Sequence, residues 1–445
     1  MSVPRAAARR RCVTRPRRGF MTSLVLLFTT LVIAGCEAGA NYPQTTFRTV
    51  SAFGDALNKV FYNTFGWTMG ILILVMGLIL YATFRFRERP DSPDPEQIHG
   101  NTKLEIAWTI APALIVVFIG VPTVQTIFET QRRPPEDALV VEVVGHQWWW
   151  EFRYPEYGIV TANQMWIPTD RYVSLQMHSN DVVHSFWIPR IGGKRDVNPL
   201  PRVPDGQPAA HKNYLLFNVR EPGHYLGQCA EFCGESHAIM RMTVMAVEQP
   251  EFDDWVSRMR AQPAQPQQPA PAIAAAPDAA AAPGAGQPAD AAQSDTAMAQ
   301  AAAQGQTQAE QAPAPAAPAP LRIGEIRPPT GVGNPFVPPV DDAALQQEGE
   351  RIFMAAACVA CHQIAGTTAT GLLGPALTGY GERPWVGAGA APNNVENLVR
   401  WIRDPQSLKP GTLMPGTVRG GGGMGPTGLS DAEVRAVAAY LMSLK

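Results

Sequence analysis

Two long apolar segments near the N-terminus are the clearest feature of the hydrophobic pattern. Residues 65–84 and 106–128 contain no charged side chain, and each supplies the about 20 helical residues, at about 1.5 Å per residue, that cross a bilayer. A helix pair buried in a soluble domain is the alternative, but such helices are usually shorter. The pattern therefore predicts a transmembrane helical hairpin at 50–130. Three arginines and one lysine between the segments favour a cytoplasmic loop.

The pattern after residue 138 changes to short β-branched and aromatic runs separated by Pro, Gly and Asn turns. This punctuation predicts an all-β sandwich or barrel at 138–250. Residues 261–320 are rich in Ala, Pro and Gln and have no aromatic residue, so 261–340 is predicted to be a disordered, low-complexity linker. A flexible coil of about 60 residues would span roughly 40–45 Å. Helical periodicity at 341–445 predicts a small all-α domain.

The first 36 residues have the form of an export signal. Seven arginines and no acid precede residue 21, an apolar stretch spans Met21–Ile33, and Cys36 follows Ile-Ala-Gly. This ending resembles a bacterial lipoprotein cleavage box, in which Cys36 would become the acylated first residue outside the cytoplasmic membrane. An uncleaved anchor with an incidental cysteine is the alternative. Export of residue 36 followed by two crossings would return the chain outside, although Arg132 and Arg133 weaken the charge argument for this topology.

The length of the chain agrees with several domains, and its charge argues against a nucleic-acid partner. A chain of 445 residues exceeds what one hydrophobic core usually organises, so several domains are expected. The formal net charge is only -2. Outside the leader, no extended basic surface with interleaved aromatic residues is apparent, so we expect no nucleic-acid partner.

The first close pair of cysteines has the spacing of a metal site. Cys229 and Cys233 are followed by His237 and Met240, so two thiols, an imidazole and a thioether occur within one short segment. Soft sulfur with imidazole selects copper or zinc, and the methionine favours copper. Because the compartment is oxidising, a disulfide between the two cysteines is the alternative. His184, at the end of a strand-like run, is a candidate ligand, although a lone histidine there is more often structural.

The second pair forms the pattern Cys358-Val-Ala-Cys361-His362. This is the covalent haem c attachment pattern, in which both thiols add to haem vinyl groups and the histidine binds iron. A zinc or redox Cys-x-x-Cys is the alternative, but the adjoining histidine favours haem. Met414, in a Leu-Met-Pro sequence, resembles the second axial ligand of class I cytochromes c. Such His/Met ligation leaves no open coordination position, so this haem should carry electrons.

These motifs, together with Gly145-His146-Gln147-Trp148-Trp149-Trp150, resemble a known family. Residues 138–247 are similar to the cupredoxin-type domain of cytochrome c oxidase subunit II, and 341–445 resemble a class I cytochrome c. The resemblance implies a dinuclear copper centre, CuA, whose coppers are bridged by the two cysteines. The implied copper ligands are His184, Cys229, Cys233, His237, Met240 and the backbone carbonyl of Glu231. The expected fold class is multidomain: a transmembrane hairpin, an all-β cupredoxin-like CuA domain, a disordered linker and an all-α cytochrome c domain.

Further residue roles follow from the same resemblance. Trp148 matches the electron-entry tryptophan, whose exposed ring lies between the electron donor and CuA; a core aromatic is the alternative. Glu231 matches a side chain that binds magnesium shared with subunit I, and Glu105 matches the entry of a proton channel. Both acids could equally be solvated charges, with Glu105 favoured by the helix dipole. The loop after Asp196 departs from the family pattern, which leaves the role of Arg202 open.

The expected function is that of subunit II in a bacterial respiratory terminal oxidase. Electrons would pass from cytochrome c, or a cytochrome bc complex, through haem c and CuA to subunit I, where oxygen is reduced to water and protons are pumped. Subunit III and membrane lipid are further expected partners, with both cofactor domains on the periplasmic side. The alternatives are the CuA subunit of a nitric oxide reductase and a freestanding copper or haem redox protein. The two membrane segments and Glu105 disfavour the latter.

Overall fold

The computed structural model describes residues 43–87, 100–199, 213–261 and 342–445, with the single positions 27, 30 and 97. Apart from positions 27 and 30, the leader at 1–36 lies outside the described residues. So do Cys36, Arg202 and, apart from Ala261, the linker at 261–340. The domain boundaries expected from the sequence stay predictions.

Two long helices form the N-terminal hairpin. Helix α1 spans Ala52–Arg85 and helix α2 spans Thr102–Thr130. Both are long and apolar enough to cross a membrane. They contact each other through Trp67, which stacks on Phe118 with 5.6 Å between ring centroids. Most of their remaining apolar side chains are exposed in the chain, as expected for helices whose solvent is lipid.

Helix α1 begins well before the apolar segment, and its first turns pack against the β domain. The Ser51 hydroxyl accepts a hydrogen bond from the Gly54 amide at 3.0 Å and caps the helix. Phe53 is buried and contacts Gly193. A Cβ added at Gly54 would lie 2.5 Å from a methyl group of Thr49, so only glycine fits there. These contacts join the hairpin to the β domain.

Ten strands build the β domain as two five-stranded sheets. The strands are β1 (Leu139–His146), β2 (Trp149–Tyr154), β3 (Ile159–Ala162), β4 (Gln164–Pro168), β5 (Tyr172–Ser179), β6 (His184–Trp187), β7 (Arg195–Val197), β8 (Asn213–Asn218), β9 (Gly223–Cys229) and β10 (Arg241–Val247). The sheet orders are β3-β2-β1-β5-β8 and β4-β10-β9-β6-β7. The β1–β5 and β4–β10 pairs are parallel, and the other pairs are antiparallel. One hydrophobic core fills the space between the sheets.

Strand β2 shows how the alternating pattern becomes a core. Trp150, Phe152 and Tyr154 are fully buried, and the residues between them are only partly buried, as the period of two requires. The Tyr154 hydroxyl donates to the Trp166 carbonyl at 2.9 Å and accepts from the Trp166 amide at 2.8 Å. Because Trp166 lies in β4, this pair of hydrogen bonds ties the two sheets together. Helix α3 (Gln249–Ala261) covers the same end of the core.

The C-terminal domain is mainly helical. Its helices are α4 (Ala343–Ala355), α5 (Cys358–Cys361), α6 (Val395–Arg403), α7 (Pro405–Leu408) and α8 (Asp431–Ser443). Helices α4 and α8 cross at Gly349, where an added Cβ would lie 1.9 Å from the Ala436 carbonyl oxygen. Ser430 and Glu433 form a capping box that starts α8. For the three folded regions the expected fold class is confirmed, although the C-terminal domain also has two short paired strands, β11 (Trp385–Val386) and β12 (Ala391–Pro392).

Replacement of Tyr154 by Phe should destabilise the β domain without changing its shape. The Trp166 amide and carbonyl would lose a buried partner, which costs about 1–3 kcal/mol of unfolding free energy. We expect the thermal transition of the β domain, followed by circular dichroism of the purified chain, to fall by several degrees. The matched control is Tyr157→Phe, since the Tyr157 hydroxyl has no partner among the described residues while its ring packs on Phe252. Equal transition temperatures for the two variants would contradict the sheet-tying role.

Candidate metal and haem sites

Two separate segments of the β domain converge on one end of the sandwich. Cys229 is the last residue of β9, and the loop that follows it runs to β10 through Cys233 and a short 3-10 turn at His237–Ile239. His184 is the first residue of β6, which pairs with β9. Pairing of β6 with β9 therefore brings a histidine from a distant part of the chain to the two cysteines.

The predicted copper ligands form a single cluster. Cys229 Sγ lies 3.7 Å from Cys233 Sγ and 3.9 Å from His184 Nδ1. The sulfur of Cys233 lies 3.6 Å from His237 Nδ1 and 3.8 Å from Met240 Sδ. The Glu231 carbonyl oxygen is 3.2 Å from Cys229 Sγ. Each thiol thus has its own histidine, and the sulfur separation far exceeds the about 2.05 Å of a disulfide. The disulfide alternative does not fit this geometry.

His184 is held in position by a residue that the sequence analysis did not single out. Its Nε2 lies 2.8 Å from Asp181 Oδ1, which leaves Nδ1 turned towards the sulfur of Cys229. The same carboxylate accepts a hydrogen bond from the backbone amide of Gln147 at 2.6 Å. Burial alone would raise the pKa of Asp181, but these hydrogen bonds lower it. The Asp-x-x-His spacing could have indicated this partner, because metal-binding histidines usually donate their second N–H to a carboxylate or carbonyl.

The two thiols titrate as a pair. The hydrogen bond from the Cys233 thiol lowers the pKa of Cys229 below its ordinary value. The pKa of Cys233 is raised, because its proton is held by Cys229 and because the site is buried. Binding of a metal would release any proton that remains on the pair, since coordinated cysteines are thiolates. Two thiolates, two imidazoles and a thioether in a buried cluster match the soft ligands that copper prefers.

A second site lies in the C-terminal domain, where Cys358, Cys361 and His362 line one cavity. The Nδ1 of His362 lies 2.9 Å from the Pro375 carbonyl oxygen, so it donates this hydrogen bond and leaves Nε2 available to a metal. Burial lowers the pKa of His362, which favours the neutral imidazole that a metal requires. A Cβ added at Gly374 would lie 2.7 Å from the imidazole ring. The apolar cavity, the two thiols and the oriented imidazole fit a covalently bound haem.

Met414 is the predicted second axial ligand of this site. It lines the same cavity as His362 and packs against the hydrophobic core of its domain. Met424 also lines the cavity, but 42% of its surface is exposed. Between these two methionines, Met414 is the better placed to bind an iron from within the domain.

Trp148 is buried, in contrast to the exposed ring that the resemblance implied. Its relative exposure is 8%, because Gly411 of the C-terminal domain lies against the ring, and a Cβ added there would be 2.6 Å from Trp148 Cη2. The indole Nε1 donates to the Cys233 carbonyl oxygen at 3.0 Å. The Gln147 side chain donates to the same oxygen at 2.8 Å. The expectation of an exposed ring is therefore wrong, and the residue lies between the C-terminal domain and the thiol pair.

The two predicted acidic sites are not assembled by the described residues. The side chain of Glu231 is exposed, and only its carbonyl faces the cysteines. Glu105 lies in the first turn of α2, where its carboxylate accepts a hydrogen bond from the Asn101 amide at 3.2 Å. This is the contact of a helix-capping residue. The magnesium role of Glu231 and the proton-channel role of Glu105 stay predictions.

Comparisons with known proteins identify all three folded regions. The family model described as cytochrome C oxidase subunit II, transmembrane domain, matches residues 43–126, and that of the subunit II periplasmic domain matches 158–247. The cytochrome c model matches 346–445. A cytochrome c oxidase subunit 2 from Bacillus sp. strain PS3 is 30% identical over 379 residues, covering 81% of this chain and 80% of the relative. The chain belongs to the cytochrome c oxidase subunit 2 family.

Other subunit 2 relatives extend over almost the whole chain. The one from Alkalihalophilus pseudofirmus is 29% identical and covers 95% of this chain and 96% of its own length. That from Bacillus subtilis is 29% identical, covering 95% of this chain and 97% of its own. This subunit II is thus a membrane-anchored component of a cytochrome c oxidase, with a cupredoxin-like domain that implies copper and a cytochrome c domain that implies haem c. Subunit I of the oxidase is its implied partner.

Metal analysis of the purified subunit should give about two coppers per chain if the thiols of Cys229 and Cys233 bridge a pair of ions. Cys233→Ser should remove both coppers, because each ion would lose a shared ligand. Asp170→Asn, a change at an aspartate outside the cluster, is the control and should retain both. A single copper in the unaltered chain, or zinc with no copper, would contradict the dinuclear assignment.

Replacement of Met414 by Ala should leave the haem covalently attached but lower its reduction potential and open its iron to carbon monoxide, because a thioether ligand is lost. Absorption spectra with and without carbon monoxide, and a redox titration, measure both effects. Met424→Ala should match the unaltered chain. If the carbon monoxide reactivity appears in the Met424 variant instead, the assignment of the two methionines is reversed.

Proposed function

We propose that this subunit receives electrons at its cytochrome c domain and passes them through Trp148 to the CuA site, for use by subunit I in reducing oxygen to water coupled to proton pumping. When bound, haem c and the copper pair hold the electron in turn without making or breaking substrate bonds. The observation that carries the proposal is the position of Trp148. Its ring lies against Gly411 of the cytochrome c domain, and its indole N–H is bonded to the carbonyl of Cys233.

The residues that would hold each group are separate sets. The copper ligands are His184, Cys229, the Glu231 carbonyl, Cys233, His237 and Met240. The haem ligands and attachment residues are Cys358, Cys361, His362 and Met414. Each set lies within one domain, so each domain could hold its own group whether or not the domains are in contact.

Rigidity of the copper ligands suits electron transfer. His184 and Met240 are completely buried, and both cysteines are nearly so. Cys229 is held in the β6–β9 pairing, and the imidazole of His184 is held by Asp181. Ligands that cannot move and are shielded from water change little in position when the charge of the site changes. A small rearrangement on oxidation and reduction favours fast transfer.

The membrane placement is part of the same proposal. The hairpin of α1 and α2 would span the bacterial cytoplasmic membrane with both cofactor domains on the periplasmic side, and Cys36 would carry a lipid. Glu231, whose side chain is exposed beside the thiol pair, would bind magnesium with subunit I. Glu105 would stand at the entry of a proton channel. Subunit III, membrane lipid and a cytochrome c or cytochrome bc complex as donor complete the proposed partners. Oxygen consumption by the purified complex tests the reaction, and consumption of nitric oxide alone would indicate a nitric oxide reductase.

Replacement of Trp148 by Gln should slow electron transfer from the cytochrome c domain to the β domain by orders of magnitude, because the conjugated ring between them is lost. Flash-induced transfer in the purified complex measures the rate, and both metal spectra should be unchanged. Trp148→Phe should restore part of the rate, since it keeps an aromatic ring. Trp149→Gln is the control: that ring stacks on His146 at 4.1 Å, so its loss should lower stability rather than the rate. An unchanged rate in the Trp148→Gln variant would remove this residue from the path.

A further inference from the structure

The side chain of Lys409 is buried between the two cofactor domains. It follows α7 in the cytochrome c domain and is 3% exposed. Its amine donates to the Trp148 carbonyl at 2.5 Å and to the Gly387 carbonyl at 2.8 Å, and it lies 3.4 Å from the Ile239 carbonyl oxygen. Trp148 and Ile239 belong to the β domain. A lysine amine has three N–H donors, and here three carbonyl oxygens surround it.

Such an arrangement is informative because an ammonium group is costly to remove from water unless its donors are satisfied. If the two domains separated, Lys409 would keep only the Gly387 carbonyl from its own domain and would regain water. Its full set of partners therefore exists only when the cytochrome c domain is seated on the β domain. The three carbonyl partners of Lys409 therefore mark the docked arrangement of the two domains.

Further hydrogen bonds and one close packing contact between the two domains surround Lys409. The Ser236 hydroxyl donates to the Pro410 carbonyl at 2.6 Å, and the Arg241 amide donates to the Ala388 carbonyl at 2.9 Å. Gly389 has a φ of +107° and lies so close to the Arg241 side chain that an added Cβ would be 2.8 Å from its Cδ. Two loops of the cytochrome c domain, 387–389 and 409–411, thus contact the loop at 236–241 that includes predicted copper ligands.

We infer that Lys409 is the positioning residue that docks the cytochrome c domain onto the loop at 236–241, which includes predicted copper ligands. In the docked state the cytochrome c domain covers Trp148 and prevents its contact with any other electron donor. The role of this docking in electron transfer rests on the function proposed above, whereas the docking itself rests only on the contacts between the two domains. Because Trp148 is covered by the chain's own domain, an external donor must deliver its electron to the cytochrome c domain. Because the acceptors are neutral carbonyls at a buried site, docking should depend only weakly on salt.

The docked state can be measured by hydrogen exchange in the purified full-length subunit within its oxidase complex. In the unaltered protein the Arg241 amide is protected by the Ala388 carbonyl, and Trp148 is shielded from oxidative labelling. In the Lys409→Met variant, which keeps the length of the side chain but not its donors, we expect exchange at Arg241 to rise about tenfold or more. Labelling of Trp148, measured by mass spectrometry, should rise in parallel. Arg435→Met, an exposed cation on α8, is the control and should change neither signal.

A second variant separates docking from folding of the cytochrome c domain, since Lys409 also bonds to Gly387 within that domain. Ser236→Ala removes the bond to Pro410 from the β-domain side and leaves the cytochrome c domain unaltered. It should raise Arg241 exchange and Trp148 labelling in the same direction, by a few-fold, with unchanged haem and copper spectra. Unchanged exchange and labelling in Lys409→Met would overturn the inference. A Lys409→Met effect accompanied by an altered haem spectrum, with no effect of Ser236→Ala, would overturn it as well.

Electron-transfer rates distinguish this inference from the proposed function. If both hold, Lys409→Met lowers the rate of transfer between the domains as it raises exchange, and raising the salt concentration in the unaltered complex changes neither by more than a few-fold. If the exchange and labelling results are as expected but the transfer rate is unaffected, the docking role stands and the relay through Trp148 fails.

Discussion

The structure depends on keeping two buried thiols 3.7 Å apart without joining them. Two sulfurs at this distance would otherwise either form a disulfide or separate. Cys229 cannot move because it is paired with Phe186 across β9 and β6. Cys233 is held through its carbonyl, which accepts hydrogen bonds from both Gln147 and Trp148. The two-sheet sandwich therefore acts as the frame that holds a ligand geometry the loop could not maintain alone.

The turn at Gln147 and Trp148 joins the structural and functional parts of the molecule. On one side, the Gln147 amide holds Asp181, which in turn orients His184. On the other side, the Trp148 ring contacts Gly411 and its carbonyl accepts from Lys409. A single turn thus contacts the predicted copper ligands and the cytochrome c domain at once. A movement of the docked domain would therefore displace residues that hold the thiol pair in position.

The membrane hairpin is joined to this frame by packing as well as by covalent connection. The first turns of α1 precede its apolar segment and pack on the β domain. Phe53 lies against Gly193, and Ser51 is buried. Glycines at 54, 192 and 193 permit this close approach. The β domain therefore has a defined orientation with respect to α1, which suits a subunit that must present its copper site to a membrane-embedded partner.

Features that depend on neighbours in the chain could be predicted from the sequence. The hairpin, the β-rich and helical character of the two later domains and the spacing of both cysteine motifs all reflect patterns within a few residues, so local patterns were sufficient. The cluster of predicted copper ligands depends on strand pairing to bring in His184, and the contact of Asp181 with His184 depends on the same register. The burial of Trp148 and the partners of Lys409 arise from contact between two domains distant in sequence. No local pattern encodes which carbonyl oxygens will surround an amine 261 positions along the chain, so only the tertiary structure decided them.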